Sequence, residues 1–437
     1  MATISITDVR ADGNTLECDV DVPPSLNRFF GDGPFVVEYD QDVSSVPEGV
    51  LAIPVLGHVC PVAWAVGADV SVGVVDREYV ESLPTVRDAL VEMHPAFVTD
   101  ATEIRAREVV EESPDRDGEE TAQLFTGGVD SLATYVRHHE EDPTLLSVHG
   151  WSVDADDDDH WRETMRYLSQ FASDRGLEHR TVRSNMLSFL NVTMLDAHFR
   201  PHYDGSWYSD VGHGIGLLSL CAPLAYERGI GELHIASTHT KGYDVAWGSH
   251  PTIDERVSWT GTTAVHDGFE LTRQEKVGLL ASHAERADTQ DFDIRTCIYD
   301  DAGGNCSGCE KCYRTMVALD LEGVDPNEFG YDYSKEVLAD IQSRFESAEW
   351  HLRGDKPYFW GEIQERVPED VSEEPREVRE FYRWLRNADF EQYTAQAGPK
   401  LKHRVLRAVA RHTPYRLYRP LYPVYEGMQR RLPIGGK

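Results

Sequence analysis

The sequence predicts an α/β protein built on a doubly wound parallel sheet, with an N-terminal α+β domain, a cysteine-rich knuckle and a helical C-terminal region. Strand-like and helix-like segments alternate from residue 120 onward, which is the pattern of parallel strands joined by crossover helices. Four cysteines are concentrated between residues 297 and 312, as expected for a metal knuckle. Helical periodicity dominates from residue 331.

Composition indicates a globular, strongly acidic chain. Hydrophobic residues make up 41% of the 437 residues and aromatic residues 10%, enough apolar surface to form a core. Lys and Arg total 42 against 76 Asp and Glu, for a formal charge of -34. This charge excludes a general nucleic-acid coat protein. With only eight Lys beside 34 Arg, the composition resembles that of halophilic proteins, whose acidic surface serves solvation.

The sequence predicts a cytoplasmic protein. It contains no apolar run of 18 residues, and its N-terminus lacks the basic and apolar regions of a secretory signal. Cys18, Cys60 and Cys221 lie outside the cysteine cluster. We expect these three to be buried, inert thiols.

The N-terminal region is predicted to be a strand-rich accessory domain that ends near residue 118. Its strand-like segments are ECDVDV, GPFVVEYD, GVLAIPVLG and ADVSVGVVD, followed by the helical pattern YVESLPTVRDALVEMHP. The acidic run from Asp154 to Asp159 lacks the spacing of a calcium loop and is predicted to be a solvated loop. The predicted divisions of the chain are residues 1–118, 119–330, 331–398 and 399–437.

A glycine turn between the strand-like TAQLF and the following helix predicts a phosphate-binding loop. Two glycines let the backbone approach a phosphate, and the first helical amides can donate to its oxygens together with the Thr126 and Ser131 hydroxyls. Asp130 can orient the loop or a phosphate-bound Mg²⁺. The loop consists of Thr126, Gly127, Gly128, Val129, Asp130 and Ser131.

The cysteine cluster has the spacing of a zinc knuckle. Eight residues separate a first cysteine from two overlapping C-x2-C steps, and four thiolates suit a closed tetrahedral Zn²⁺ site. An iron-sulfur cluster has the same ligand type, but nothing else in the sequence points to electron transfer. The predicted ligands are Cys297, Cys306, Cys309 and Cys312.

Taken together, these two motifs resemble those of a known enzyme superfamily. LFTGGVDSLAT is similar to the SGGxDS loop of the N-type ATP pyrophosphatases (PP-loop proteins), with Thr126 in place of the first serine. The cysteine spacing, followed by Tyr313-Arg314, is similar to that of 7-cyano-7-deazaguanine synthase-like proteins. The resemblance covers about residues 119–322. It implies an adenine nucleotide alpha hydrolase-like fold that binds ATP and Mg²⁺.

The resemblance further implies a ligase that adenylates a substrate carboxylate and forms an amide or nitrile, releasing AMP and pyrophosphate. The partners would be a small-molecule carboxylate and ammonia or another amine donor. The regions that select the substrate in that family, HGWSVDADDDD and THTKGYDVAWGSHPTIDE, differ here, so the substrate stays open. The alternatives are a tRNA-modifying sulfur transferase, which would need a reactive thiol such as Cys221, and a non-catalytic nucleotide-binding module.

Other candidate site residues follow predicted strands or lie ahead of the cysteine cluster. The segment after ELHIAST would lie at the carboxyl end of a parallel strand, where such sheets bind ligands. Arg273 and Lys276 would share a helical face and neutralise pyrophosphate, or be ordinary solvated residues. Ser184 and Asn185 would border the adenine. The catalytic candidates are Asp130, Ser131, Lys241 and Lys276, and the substrate-loop candidates also include Tyr243, Asp244, Ser249 and His250.

Residues 399–437 form a basic tail. They hold ten Lys or Arg and one acid, a net charge of +9 beside a body of -43. Arginines interleaved with tyrosines and prolines suit RNA, a protein partner, the chain's own acidic surface or an anionic membrane surface. We expect a binding role for the tail, with peripheral membrane attachment as one alternative. A homodimer is a further predicted assembly.

Overall fold

The chain is an α/β protein in which a large, mostly parallel sheet is combined with helices, as the strand and helix alternation predicts. The structure is a computed structural model. It describes residues 1–113, 120–151, 155, 157–203, 205–243, 245–286, 292–297, 304–347, 349–350, 352–393, 408–413 and 417.

The strands form one sheet of eleven in the described residues. In chain order they are β1 (Thr3–Asp12), β2 (Thr15–Asp21), β3 (Phe35–Tyr39), β4 (Asp69–Asp76), β5 (Ile104–Val110), β6 (Glu120–Leu124), β7 (Thr144–His149), β8 (His179–Ser184), β9 (Ile230–Ala236), β10 (Ser258–Trp259) and β11 (Thr262–Asp267).

The helices fall between these strands and after the last of them. In chain order they are α1 (Glu48–Leu51), α2 (Ile53–Val66), α3 (Arg77–Met93), α4 (Val129–His138), α5 (Asp158–Asp174), α6 (Met186–Phe189), α7 (Val192–Phe199), α8 (His213–Leu220), α9 (Ala222–Arg228), α10 (Pro251–Asp254), α11 (Arg273–Ala284), α12 (Glu310–Leu321), α13 (Glu336–Glu346), α14 (Lys356–Arg366) and α15 (Arg376–Asn387).

The strand order is β10-β11-β9-β6-β7-β8-β3-β2-β1-β4-β5. The run β11-β9-β6-β7-β8 is parallel throughout, and β3 joins it by antiparallel pairing with β8. Strands from both sides of residue 118 therefore share one sheet. The chain winds from β6 through β7 to β8 and then returns to the other side of β6 at β9. This reversal places a topological switch point between β6 and β9.

The chain folds into two compact units, and each unit is built from three separate segments of the sequence. The first unit contains every strand and consists of Met1–Thr126, Arg137–Ser237 and Asp244–Phe269. In the second unit, the regular elements of the described residues are helices; it consists of Gly127–Val136, Thr238–Tyr243 and Glu270–Lys437.

One predicted strand is wrong. GVLAIPVLG belongs to α1 and α2, not to the sheet. Every residue from Ile53 to Trp64 is buried, so this helix is apolar on all sides and shows no amphipathic period. A short apolar run rich in β-branched residues cannot be assigned to strand or helix from periodicity alone. The 14-residue length of α2 and the proline in its first turn are the features that favour a helix.

Part of the acidic run, predicted as a solvated loop, begins a helix. The Asp157 carboxylate accepts a hydrogen bond from the His160 backbone N–H at 3.1 Å and caps α5. Asp158 and Asp159 occupy the first turn, where negative charge is favoured by the helix dipole. Asp154 and Asp156 lie outside the described residues, as do the predicted boundary at 114–119 and all of the basic tail except 408–413 and 417.

No helix in the described part of the chain is long and apolar enough to span a bilayer. This finding rests on the described residues alone.

A buried histidine in α2 makes the fold sensitive to acid. Burial lowers the pKa of His58 to about 4, whereas an unfolded histidine titrates near 6.5. Between these values the unfolded chain binds more protons than the folded chain, so stability is fully present above about pH 6.5 and falls as pH decreases toward 4. The expected loss is about 3 kcal/mol at pH 4.

Chemical unfolding at pH 7, 6, 5 and 4 measures this effect. His58→Gln should be less stable than the wild type at pH 7, because it disturbs a buried side chain, but its stability should depend less steeply on pH. An equal slope in the two proteins would contradict the assignment.

Candidate functional site

The glycine turn after β6 contains a left-handed residue and leads directly into a helix. Gly127 is left-handed, with φ of +70°. The Arg295 backbone N–H donates to the Gly127 carbonyl at 2.7 Å, and the Ser131 hydroxyl donates to the Gly128 carbonyl at 3.2 Å. Because α4 begins at Val129, its first amides have no carbonyl partner within the helix. Such amides are suited to an anion.

Gly127→Ala is expected to lower the free energy of unfolding by about 1 kcal/mol, because a Cβ is disfavoured in the left-handed conformation. Gly361→Ala is the matched control. Gly361 lies inside α14, and apart from its chain neighbours and the backbone of its own helix no described atom lies within 4 Å of the position that its Cβ would occupy, so alanine should stabilise that helix. Urea unfolding of both variants tests the pair. The same sign of change in both would contradict the loop conformation.

Asp130 holds two cations beside the loop. Its carboxylate lies 2.7 Å from Arg273 Nη2 and 3.5 Å from Lys276 Nζ. The Lys276 side chain is only 2% exposed, so it is not the ordinary solvated helix residue that was one alternative. The prediction that Arg273 and Lys276 share a helical face is confirmed, because both contact the same carboxylate from α11.

Two further cations from α12 complete what we call the basic cluster: Arg273, Lys276, Lys311 and Arg314. Arg314 pairs with Glu310 at 3.3 Å, and the Arg273 and Arg314 guanidinium carbons lie 4.7 and 4.6 Å from the centre of the Phe359 ring. In the described part of the chain, Lys311 forms no side-chain hydrogen bond and no ion pair. The buried Arg273 Nε and Arg314 Nη1 have no hydrogen-bond acceptor there either. Buried donors without an acceptor carry a desolvation cost, which an acceptor from a bound ligand would offset.

The electrostatics of the cluster favour negative charge. Burial raises the pKa of the Asp130 carboxyl, but Arg273, Lys276 and Lys311 hold it below its usual value. Burial lowers the pKa of the Lys311 ammonium, and Arg273 and Arg314 lower it further. The two guanidinium groups therefore repel the protonated Lys311 side chain. A bound anion would relieve this repulsion.

Sequence reasoning did not assign Lys311 and Arg314 to the site. Both lie in or next to the cysteine segment, whose spacing predicts a metal site and not an anion site. One signal was available, since the chain has only eight Lys and Lys311 lies between two cysteine ligands. Its spacing of three residues to Arg314 places the two cations on one face of α12.

In the segment after β9, two side chains, His239 and Tyr243, contact other groups of the second unit. His239 Nε2 lies 3.2 Å from Asp355 Oδ2, and the Tyr243 ring lies 4.6 Å from the Tyr358 ring. Lys241, a catalytic candidate, is exposed, and among the described residues no hydrogen bond or ion pair joins it to the basic cluster. Asp244 lies outside the described residues.

Ser249 and His250 are engaged locally in the first unit. The buried Ser249 hydroxyl donates to Asp254 Oδ2 at 2.7 Å, and the same oxygen lies 2.7 Å from His266 Nδ1. His250 caps α10 by accepting from the Thr252 backbone N–H at 3.2 Å. These contacts give both residues a structural role in shaping the segment.

Ser184 and Asn185, predicted to border the adenine, lie in the first unit, where Ser184 is the last residue of β8 and Asn185 follows it. Asn185 accepts from the Val36 backbone N–H at 2.9 Å and donates to the Pro34 carbonyl at 2.9 Å. Ser184 accepts from the Met186 backbone N–H at 3.2 Å. The Asn185 amide therefore joins β8 to the start of β3, and its part in an adenine pocket stays a prediction.

The four clustered cysteines fit a tetrahedral metal site. Their sulfur atoms all lie within 4.8 Å of one another. Cys312 Sγ lies 3.5 Å from Cys309 Sγ and 3.8 Å from Cys306 Sγ. Four sulfurs at 2.3 Å from Zn²⁺ would be separated by about 3.8 Å. The distances suit zinc without a large rearrangement.

Backbone contacts hold the cysteine loop in place. Cys309 caps α12, since its sulfur accepts from the Cys312 backbone N–H at 3.5 Å. Asn305 Oδ1 accepts from the backbone N–H groups of Thr296 and Cys297 at 3.0 and 3.2 Å, and Asn305 Nδ2 donates to the Ile294 carbonyl at 2.8 Å. These bonds fix the backbone on either side of the cysteine cluster.

The three cysteines outside the cluster are buried, as predicted. Burial raises the pKa of Cys221 to about 12, and its thiol donates to the Leu217 carbonyl at 3.5 Å. A thiol in this setting is a poor nucleophile because it stays protonated at neutral pH.

Comparisons of the chain with protein-family models, curated proteins and solved structures find no match.

Proposed function

We propose that the chain is an ATP-dependent, AMP-forming ligase that adenylates a substrate carboxylate and joins it to ammonia or another amine as an amide or nitrile. One observation carries the proposal: Asp130, in the first turn of α4 after a left-handed glycine turn, organises a basic cluster with unsatisfied buried donors. Nothing else in the described residues combines a phosphate-loop motif with such a concentration of buried positive charge.

The loop and the basic cluster supply complementary donors for the phosphates. Helix amides and the Ser131 and Thr126 hydroxyls suit phosphate oxygens, and Lys311 offers a half-buried ammonium without an ion-pair partner in the described residues. The Asp130 carboxylate is already paired with Arg273 and Lys276. We infer that Asp130 mainly positions these cations, while Mg²⁺ enters with the nucleotide phosphates.

The sheet topology supports a nucleotide site at this place in the chain. Open parallel sheets bind ligands at the carboxyl ends of strands where the strand order reverses. That point lies between β6 and β9, and the glycine turn and the segment from Thr238 directly follow these two strands in sequence. We infer a doubly wound, adenine nucleotide alpha hydrolase-like fold for this part of the sheet.

The proposed reaction proceeds through an acyl adenylate. A carboxylate oxygen attacks the α-phosphorus of ATP, and the bond to the β-phosphate breaks with its electron pair leaving on pyrophosphate. The basic cluster would stabilise that departing charge. The amine then attacks the acyl carbon and AMP leaves, giving an amide. Where the amine is ammonia, a second ATP would adenylate the amide oxygen with release of pyrophosphate, and loss of AMP and both N–H protons would give the nitrile.

Two features separate this proposal from its alternatives. Sulfur transfer would need a reactive thiol, whereas Cys221 has a raised pKa and a buried setting. A closed four-thiolate Zn²⁺ site would be structural, since such sites leave no open position for a reactant. The zinc would then hold the segment that leads into α12, which carries Lys311 and Arg314.

A screen of carboxylates for ATP-dependent pyrophosphate release tests the proposal. Wild-type protein, ammonium and each carboxylate are combined in high salt, with Asp130→Ala as the inactive reference. We expect at least one carboxylate to stimulate release, and we expect Asp130→Ala to reduce it by about 10²-fold or more. Active carboxylates that yield ADP, or equal activity in the variant, would contradict the proposal.

A further inference from the structure

A second group of metal-ligating side chains lies in the first unit, where α4 ends and β9 passes. His138 Nδ1 lies 2.9 Å from Glu141 Oε1, and the His138 and His234 ring centres are 4.2 Å apart. One ligand atom from each of these three residues lies within 4.8 Å of the other two. Neither the predicted phosphate loop nor the cysteine cluster uses them.

His234 provides an independent indication that this group binds a ligand. The residue is 3% exposed, and neither of its ring nitrogens has a hydrogen-bond partner in the described part of the chain. Glu232 Oε2 lies 3.6 Å from Nε2, beyond ordinary hydrogen-bond length. A buried imidazole normally satisfies at least one nitrogen, and a metal ion would do so here.

The surroundings of His138 suit a metal ligand. Its Nε2 lies 3.2 Å from Asp267 Oδ1, and the same oxygen accepts from Arg137 Nε at 3.1 Å. A carboxylate that holds one imidazole nitrogen leaves the other directed at the metal, an arrangement common in zinc proteins. The Glu141 side chain is 44% exposed and gives an ion access from solvent.

We propose that His138, Glu141 and His234 form a second metal site, with nitrogen and oxygen ligands, that binds a divalent transition ion of the zinc class. Two imidazoles and one carboxylate favour zinc over calcium or magnesium. Ligands at 2.0–2.1 Å from zinc would lie about 3.3 Å apart, so a small movement of Glu141 away from His138 is required. The ion would fasten the end of α4 to β9.

Zinc binding to the full chain tests the site. Equilibrium dialysis against Zn²⁺, followed by elemental analysis, should give two zinc ions per wild-type chain, one of them at the cysteines. Glu141→Gln and His234→Gln should each leave one zinc ion. The neighbours in the His-His-Glu-Glu segment provide matched controls, because His139→Gln and Glu140→Gln should retain two. Asp267→Asn should weaken the affinity for the second zinc ion about tenfold.

Cobalt distinguishes the two sites by spectrum. Co²⁺ at the cysteines gives a sulfur-to-metal charge-transfer band, whereas Co²⁺ at the proposed site should add only weak visible absorption, lost in Glu141→Gln. Because Glu141 is largely exposed, this variant should fold even if His234→Gln does not. Saturation of the wild type at one zinc ion, or a second ion retained by Glu141→Gln, would overturn the proposal. The contact between His138 and Glu141 would then be an ion pair without a metal.

Discussion

Lys311→Met should reduce ATP-dependent pyrophosphate release by about 10²-fold while leaving the fold as stable as the wild type or more stable. The loss of activity is expected because a preorganised cation is removed from the charge that develops on the leaving pyrophosphate. Stability should not fall, because Lys311 forms no ion pair in the described residues, and burial and neighbouring arginines lower its pKa. Initial rates and urea unfolding measure the two quantities.

The matched control is Lys335→Met. Lys335 is a 48% exposed lysine that pairs with Asp320, and its replacement should leave pyrophosphate release unchanged. A residue that only supported the fold would lose activity in proportion to stability. If Lys311→Met is destabilised and retains full activity when folded, the basic cluster is not the pyrophosphate site.

Cys306→Ser should remove the zinc at the cysteine cluster and lower the free energy of unfolding by about 4 kcal/mol or more, within the range attributed to loss of a structural metal. Cys306 is the exposed member of the cluster. An exposed thiol that only packed against its neighbours would tolerate serine at almost no cost. A large effect at this position therefore reports metal ligation, and zinc content measured beside urea unfolding tests it.

Cys221→Ser provides the comparison for the zinc experiment. Cys221 is buried outside the cluster, so serine should cost about 1 kcal/mol by placing a hydroxyl in an apolar setting but should leave the zinc content unchanged. If Cys306→Ser keeps its stability, or if iron with acid-labile sulfide replaces zinc in the wild type, the zinc assignment fails.

The features that the sequence predicts well are local ones. The alternation from residue 120 predicts the parallel strands β6 to β9, and the cysteine spacing predicts four sulfurs that the fold brings within 4.8 Å of one another. Both depend on residues close together in the chain. The shared face of Arg273 and Lys276 is likewise a consequence of helical periodicity.

Long-range contacts were harder to predict. The pairing of Asp130 with Arg273 joins residues 143 positions apart, and no local pattern specifies it. The sequence of the apolar helix α2 predicts a strand, because burial on every side removes the helical period of its hydrophobic residues. The Asn185 amide is bonded to the backbone around β3, 149 and 151 positions away, and its place near an adenine stays a prediction. Likewise, His138 and His234 meet only because α4 ends beside β9.

The most direct measurement of the central claim follows an isotope through one turnover. A carboxylate that stimulates pyrophosphate release is labelled with ¹⁸O, and the products are examined by ³¹P NMR. Adenylation predicts AMP and pyrophosphate, with one labelled oxygen transferred from the carboxylate to AMP. ADP and inorganic phosphate as products, or AMP without the label, would contradict an adenylating ligase.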